Sequence, residues 1–530
     1  MFRPGFHQNN PPKRINDLPP ELIILILEAA LDEVVKVSYY QGGHYLGTLK
    51  TLAAVCRTWK STIQDTPSFW NVIESTITPN EMHYMLRKSE KCTLTFRHLM
   101  ERFDYSGRNV RRRTGLDTSD FFDVASFNMS RCSSLSFAVK WYRQAVRVLG
   151  SPAPILREAV AIASDRDSVE RIILFDGQAG MLENLWLSDI PIRWDLGLPP
   201  RLRRIKISYS DAPITWLPTP GQVVSALSTC GGIESFDLSG RSTVHGRLEW
   251  EELGVGGPMV ELPMLKELKI ENMSIAGSAY ILQHLLTPPL RNLGLTQCLQ
   301  RQVDTLTPLL YPPGPPLIES IRSALVCCEK VTLNVERKQC TLEIEGVGGH
   351  VYLLLQCADP DELTSWLAEE LVSELSSVPE LVLEASSSFP GPELRSLPKL
   401  MEALRNLVRL HCSQVYAAAG DLAEHLARPY QASDGWRWHW PGLKNLDLND
   451  ACHWNELALT MFRDRYGASQ EEDGGTSVGT LKWRPSPLTS LRLGGMESMY
   501  PETFQEIVDI VGKEVLEEGA FVPEEHGWFG

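Results

Sequence analysis

The sequence predicts an α/β chain: a small helical module at the N terminus, then a long array of strand-plus-helix units carrying a parallel sheet. Three observations lead there. A helix-start signal at residues 17–20 runs directly into Leu22–Leu31, where nine of ten residues are apolar. A short phrase, apolar at its first, fourth and sixth positions, returns along the chain from Val169 to Leu493. Finally, 530 residues are too many for one compact core, which calls for two domains or one domain and a repeat array.

Asp17, Pro19 and Pro20 start the first helix, because proline fixes φ and its missing N–H has no partner in the first turn anyway. A helix on a domain surface usually carries one apolar stripe, whereas Leu22 to Leu31 is apolar on nearly every face. One face can pack on its own domain; the other requires a second molecule or a deep core. A polar, glycine-containing connector at Tyr39–His44 leads to a second expected helix over Leu49–Trp59. Pro67-Ser68-Phe69-Trp70 then closes the unit with two aromatics.

The order Leu-Pro-Pro-Glu-Leu (18–22), Val-Cys-Arg-Thr-Trp (55–59) and Pro-Ser-Phe-Trp (67–70) resembles the F-box. The match spans residues 16–70, about a tenth of the chain. Its connector, Asp32–Thr48, is longer than in many members of that family. The resemblance implies a small helical module that docks on the Skp-family adaptor and, through it, on a cullin scaffold of a ubiquitin ligase. By that resemblance Leu18, Pro19, Leu22, Ile23, Ile26, Val55, Cys56 and Trp59 belong to the adaptor-docking unit. Burying three large aliphatics of the first helix on a partner gains roughly 5 to 9 kcal/mol, against an association cost of about 4 to 15 kcal/mol. One helix face is therefore too little, and Leu52, Val55, Cys56, Trp59 and Trp70 must add partner contacts or internal core.

The returning phrase occurs as Val169/Ile172/Leu174, Leu182/Leu185/Leu187, Leu202/Ile205/Ile207, Ile233/Phe236/Leu238, Leu265/Leu268/Ile270 and Leu290/Leu293/Leu295. It comes back late as Leu443/Leu446/Leu448 and Leu488/Leu491/Leu493. A period-two strand puts the last two apolar residues on one face, and the residue three earlier anchors the incoming turn. Such a unit cannot bury its face alone, so neighbours must stack. Starts at 182, 202, 233, 265 and 290 are 20, 31, 32 and 25 residues apart, overlapping the roughly 20 to 29 of leucine-rich repeats. Helix candidates at Val223–Ser228 and Ser278–Leu286 lie between them. The plan resembles an irregular leucine-rich-repeat solenoid, in which the family's asparagine or cysteine ladder is matched by Cys298 but not at Ile190, Arg241, Met273 or Ala451.

The remaining segments follow from local patterns. A helix is expected at Pro79–Leu86, strands at Thr93–Phe96 and Leu135–Val139, and a helix at Pro154–Ala163. Residues 311–384 interrupt the phrase. A helix at Leu317–Glu329 precedes strand-like runs at Val331–Val335, Thr341–Ile344 and Val351–Leu355, which read either as an antiparallel meander or as degenerate repeats. A helix over Asp361–Ser377, strands at Leu381–Leu383 and Leu407–Leu410, and a helix between them at Lys399–Arg405 follow. Trp436, Trp438 and Trp440 would share one strand face, as a packed cap or as an exposed aromatic anchor. A helix at Glu502–Glu518 seals the array. The expected organisation is a disordered tail at 1–14, the F-box-like module at 15–75, a connecting region at 76–165, the repeat array at 166–518 with a β-rich interruption at 330–356, and a tail at 519–530.

A formal net charge of −15 argues against a nucleic-acid surface. The one dense basic run, Arg108 and Arg111–Arg113, reads as a solvated loop, and the Gly-, Ser- and Glu-rich stretch 467–479 as a mobile one. Met1–Lys13 lacks the apolar centre of a signal peptide, and the apolar run of the first helix is well short of the ~20 residues that cross a bilayer. Eleven scattered cysteines suit reduced core residues, and an intracellular protein, cytoplasmic or nuclear, is expected. No catalytic constellation emerges. Gly254–Gly257 and Gly346–Gly349 lack the lysine of a phosphate loop, and Cys327-Cys328, His411-Cys412 and Cys452-His453 are adjacent pairs that cannot both turn toward one zinc. The sequence therefore predicts a non-catalytic substrate-recognition subunit without cofactor or metal. Its module binds the adaptor, its repeats bind an unidentified protein substrate, and it contacts neither nucleic acid nor membrane. The alternative is an interaction scaffold that uses the same module outside a ligase.

Overall fold

The computed structural model describes residues 18–41, 45–98, 118–139, 142–163, 171–210, 216–240, 258–296, 306–310, 314–326, 328–336, 339–356, 360–385, 395–413, 419–432, 435–449, 455–466, 485–494 and 501–516. The expected tails, the arginine-rich loop and the 467–479 loop lie outside these residues. The chain divides into two compact units, Met1–Leu217 and Pro218–Gly530.

The first unit opens with α1 (Pro20–Gln41), α2 (Tyr45–Ala53) and α3 (Arg57–Asp65). The single helix expected over Leu49–Trp59 is thus two. Cys56 is extended, and its thiol accepts from the Trp59 N–H at 3.4 Å, which satisfies an otherwise orphaned donor and starts α3. A short 3₁₀ turn, Pro67–Trp70, buries Phe69 and Trp70. Then follow β1 (Val72–Glu74), α4 (Pro79–Lys88), β2 (Leu94–His98), α5 (Thr118–Phe127), β3 (Cys132–Val139), α6 (Tyr142–Leu149), β4 (Glu158–Ala163), β5 (Asn184–Ser188) and β6 (Arg204–Ser208). Thr78 and Glu81 form a reciprocal capping box that fixes the start of α4.

These six strands pair in chain order, each parallel to the next. Ile73, Phe96, Leu135, Ala159, Leu185 and Ile205 fall on one rung, all buried. The helix expected at Pro154–Ala163 is a correction, because residues 158–163 are strand β4. Its alanines favour helix locally, but Ala159 and Ala161 alternate inward against Leu185 and Leu187, and tertiary pairing overrides propensity. The phrase at 169–174 is a second correction. Ile172 makes one bridge to Ile192, and the chain then turns through Phe175 and Asp176 at φ 53° and 51° instead of extending.

The second unit holds α7 (Pro220–Leu227), β7 (Ser235–Ser239), β8 (Val260–Glu261), β9 (Glu267–Glu271), α8 (Ile275–His284), β10 (Leu285–Leu286), β11 (Asn292–Thr296), α9 (Thr307–Leu310) and α10 (Pro315–Val326). After these come β12 (Cys328–Glu336), β13 (Gln339–Gly346), β14 (Gly349–Gln356), α11 (Pro360–Glu370), α12 (Val372–Leu375), β15 (Glu380–Ala385), α13 (Leu397–Ala403) and β16 (Arg409–Ser413). The chain continues with α14 (Ala419–Ala427), β17 (Tyr430–Ala432), β18 (Gly435–Arg437), β19 (Asn445–Asn449), α15 (Asn455–Tyr466), β20 (Ser490–Gly494) and α16 (Pro501–Val511). The strand order is β7-β9-β11-β14-β13-β12-β15-β16-β19-β20. Among the described strands of this sheet only β13 runs against its neighbours, so residues 328–356 hold an antiparallel meander set into a parallel sheet. The helix expected over Asp361–Ser377 breaks at Leu371. The helix expected to reach Glu329 stops at Val326, because β12 already claims Cys328.

Main-chain hydrogen bonds repeat with the phrase. Leu182, Leu202, Ile233, Leu265, Leu407 and Leu443 each donate N–H to the carbonyl three residues back, at 3.1 to 3.3 Å. The next two N–H groups then share one carbonyl of the preceding unit: Lys266 and Glu267 on Glu234, Arg291 and Asn292 on Lys266, Lys444 and Asn445 on Val408, Thr489 and Ser490 on Lys444. The third-back bond closes the turn and the shared carbonyl sets the register. The inward rung is therefore apolar throughout: Phe236, Leu268, Leu293, Val351, Ile344, Val331, Leu381, Leu410, Leu446 and Leu491 are all buried.

Candidate functional site

Helix α1 is apolar on two faces, and the fold covers one. Ile23, Leu27 and Leu31, spaced four apart, are at most 2% exposed, and α1 packs against α2 and α3. Leu22, Leu25 and Ile26 remain 45%, 59% and 40% exposed, and with exposed Ala29 they occupy i, i+3, i+4 and i+7 of one stripe. Among the residues singled out in the sequence, Pro19, Leu22, Ile26 and Val55 are exposed, Leu18, Cys56 and Trp59 half-buried, and Ile23 buried. Ile23 thus serves the module's own core. Leu25 and Ala29 join the stripe and were legible from the helical spacing counted from Leu22.

The module is tied together by buried polar contacts. The Trp70 indole N–H donates to the Ile63 carbonyl at 2.8 Å, and the Tyr45 hydroxyl donates to the Phe69 carbonyl at 3.2 Å. The Ser68 hydroxyl donates to Glu28 of α1 at 3.3 Å. Glu74, 1% exposed, accepts the Tyr45 backbone N–H at 2.9 Å and lies 3.6 Å from the buried Arg97 guanidinium. Burial pushes the Glu74 carboxyl up to about 7, against the opposing pull of the Tyr45 N–H and Arg97.

In the second unit the sheet's other face is mainly polar. Val382, His411, Asp447 and Arg492 share a rung across β15, β16, β19 and β20. They lie in a shallow cleft of about 410 Å³ that Glu380, Glu384 and Arg409 also line. His411 Nδ1 is 2.8 Å from Asp447 Oδ2, a contact that raises the imidazole pKa, and Arg492 lies 4.0 Å from the same oxygen. Cys412, next in sequence, points inward and is buried, as an adjacent pair on a strand must. Trp438 and Trp440 are also buried, with the Arg465 guanidinium donating to the carbonyls of His439 and Trp440 at 3.0 and 2.7 Å. The two tryptophans are packed inside and not exposed as an anchor, but they do not share a strand face: β18 ends at Arg437, and Trp440 turns at φ 45°. The Trp436 side chain lies outside the described set.

Among the described residues, Glu343, Glu345 and His350 are near enough to share an ion. His350 is already 3.0 Å from Glu343, and Glu345 lies 3.4 Å from the Lys330 ammonium, so protein groups engage the trio. Cys298, Cys327, Cys452, His453 and the Gly254–Gly257 run lie outside the described residues. No helix among the described residues is long and apolar enough to cross a membrane. No protein-family model matches this chain, and no curated protein is detectably similar to it.

Proposed function

We propose that this chain is a non-catalytic substrate-recognition subunit of a cullin ubiquitin ligase: an F-box-like module docks on the Skp-family adaptor, and the polar face of a leucine-rich-repeat-like sheet holds the protein to be ubiquitinated. The observation that carries this reading is the uncovered stripe Leu22, Leu25, Ile26 and Ala29, opposite a face already packed on α2 and α3. Covering three such aliphatics contributes roughly 5 to 9 kcal/mol, enough to matter once neighbouring residues such as Val55 add to it. The in-register, mainly parallel sheet with its polar outward rungs supports the second half of the reading. Such a subunit makes and breaks no bond itself. It raises the effective concentration of a substrate lysine near a ubiquitin-loaded enzyme on the same scaffold.

The test is a pull-down of adaptor and cullin with the full chain and with Leu22→Asp/Ile26→Asp. The double variant is expected to lose both proteins while its melting temperature stays within a degree or two, because both side chains are solvent-facing. Adaptor capture at the wild-type level would overturn the docking assignment. Adaptor captured without cullin would move the chain to a scaffold outside the ligase.

A further inference from the structure

A second recess in the first unit does not involve the α1 stripe. Helices α2, α3 and α4 enclose a cleft of about 760 Å³, the size of a site for a small organic ligand. Leu49, Ile63, Met85 and Trp70 floor it, each at most 8% exposed, so its depth is apolar. Its rim is not neutral. Lys50 and Glu81 neutralise one another at 2.5 Å, whereas Arg57 and Lys60 are solvent-facing and have no carboxylate partner among the described residues. The unbalanced rim charge is therefore positive, above an apolar floor. A polar ligand would leave the floor unfilled, and a cationic one would meet Arg57 and Lys60 unfavourably.

We propose that this cleft binds a small anionic amphiphile, an alkyl or aryl-alkyl body with one carboxylate head, with the body on Leu49, Ile63, Met85 and Trp70 and the head at Arg57 and Lys60. This inference does not rest on the ligase reading. Each methylene that enters the floor tightens binding about 4-fold until the cleft is full, and added salt weakens the head contact because both cations are exposed.

The experiment is isothermal titration of the full-length chain with octanoate, decanoate and dodecanoate below their micelle concentrations, and with dodecyltrimethylammonium as the charge control. One site per chain is expected, with affinity rising along the series and the ammonium at least 10-fold weaker. Arg57→Gln/Lys60→Gln, both exposed, should weaken dodecanoate 5-fold or more with unchanged thermal unfolding. Ala53→Trp, on the cleft wall, should abolish binding, with circular dichroism confirming its fold. Absence of binding, many weak sites without saturation, equal binding of the ammonium, or unchanged affinity in the charge-neutral variant would each overturn the proposal. The last variant keeps the test valid if Ala53→Trp fails to fold. Cys56, assigned above to the adaptor-docking unit, also lines this cleft, so loss of adaptor capture in the Leu22/Ile26 variant with amphiphile binding intact would separate the cleft from the α1 stripe.

Discussion

At the residue scale, the most consequential group is Glu74, a carboxyl with almost no access to water that ties the start of α2 to β2 through Tyr45 and Arg97. An acid whose folded pKa lies above its unfolded value holds its proton more tightly in the folded state. Its contribution is therefore full below the unfolded value near 4.5 and is lost as pH rises through about 7. Wild-type melting temperature should consequently fall between pH 5 and pH 8. Glu74→Gln keeps an acceptor for the Tyr45 N–H and removes the titration, so its profile should be flatter. Parallel profiles in the two proteins would show that the carboxyl does not titrate there. None of this was readable beforehand, because nothing local marks Glu74 as different from the other acids of the chain.

At the element scale, the meander β12–β14 is seated by a turn that leaves no room for a side chain. A Cβ on Gly348 would lie 2.2 Å from the Ser323 carbonyl oxygen of α10, and the obstacle is backbone, which cannot swing away. Gly348→Ala should destabilise the second unit by about 1 to 3 kcal/mol, read as a lower denaturation midpoint. Val347→Ala beside it, at 84% exposure, should be neutral. Equal midpoints for Gly348→Ala and wild type would contradict the close approach. The three strands of this element stood out as alternating runs, yet whether they formed a meander or repeats stayed open. Period two is common to both, and only the pairing partner tells them apart. Helix α3 is a similar case: its break from α2 depends on the extended Cys56 backbone, which a run of helix-compatible residues does not announce.

At the scale of the whole molecule, stability in the second unit is distributed along a line of rungs, each contacting its neighbours. Leu446 sits between Leu410 and Leu491, fully enclosed. Leu446→Ala should remove about 2 to 5 kcal/mol, and hydrogen exchange should quicken chiefly in β16, β19 and β20 while β7, β9 and β11 keep their protection. A uniform loss of protection over all ten strands would mean that the unit unfolds as one cooperative block. Seven of the eight phrases read in the sequence became strands, two in the first unit and five in the second, because strand alternation and the turn three residues earlier are both local. The exception, at 169–174, has the same apolar spacing but bends at Phe175.

The sequence by itself determined which side chains face inward on the strands that carry the returning apolar phrase. Apolar periodicity is written residue by residue, and a strand or helix carrying it can bury that face in few ways. Only the tertiary structure decided which of the two apolar faces of α1 is covered, that β4 is a strand, and that the meander enters the sheet in reverse order. Each of these depends on groups far away in the chain, such as α2 and α3 against Ile23 and Leu27, or Leu185 against Ala159. Local spacing carries no record of such partners.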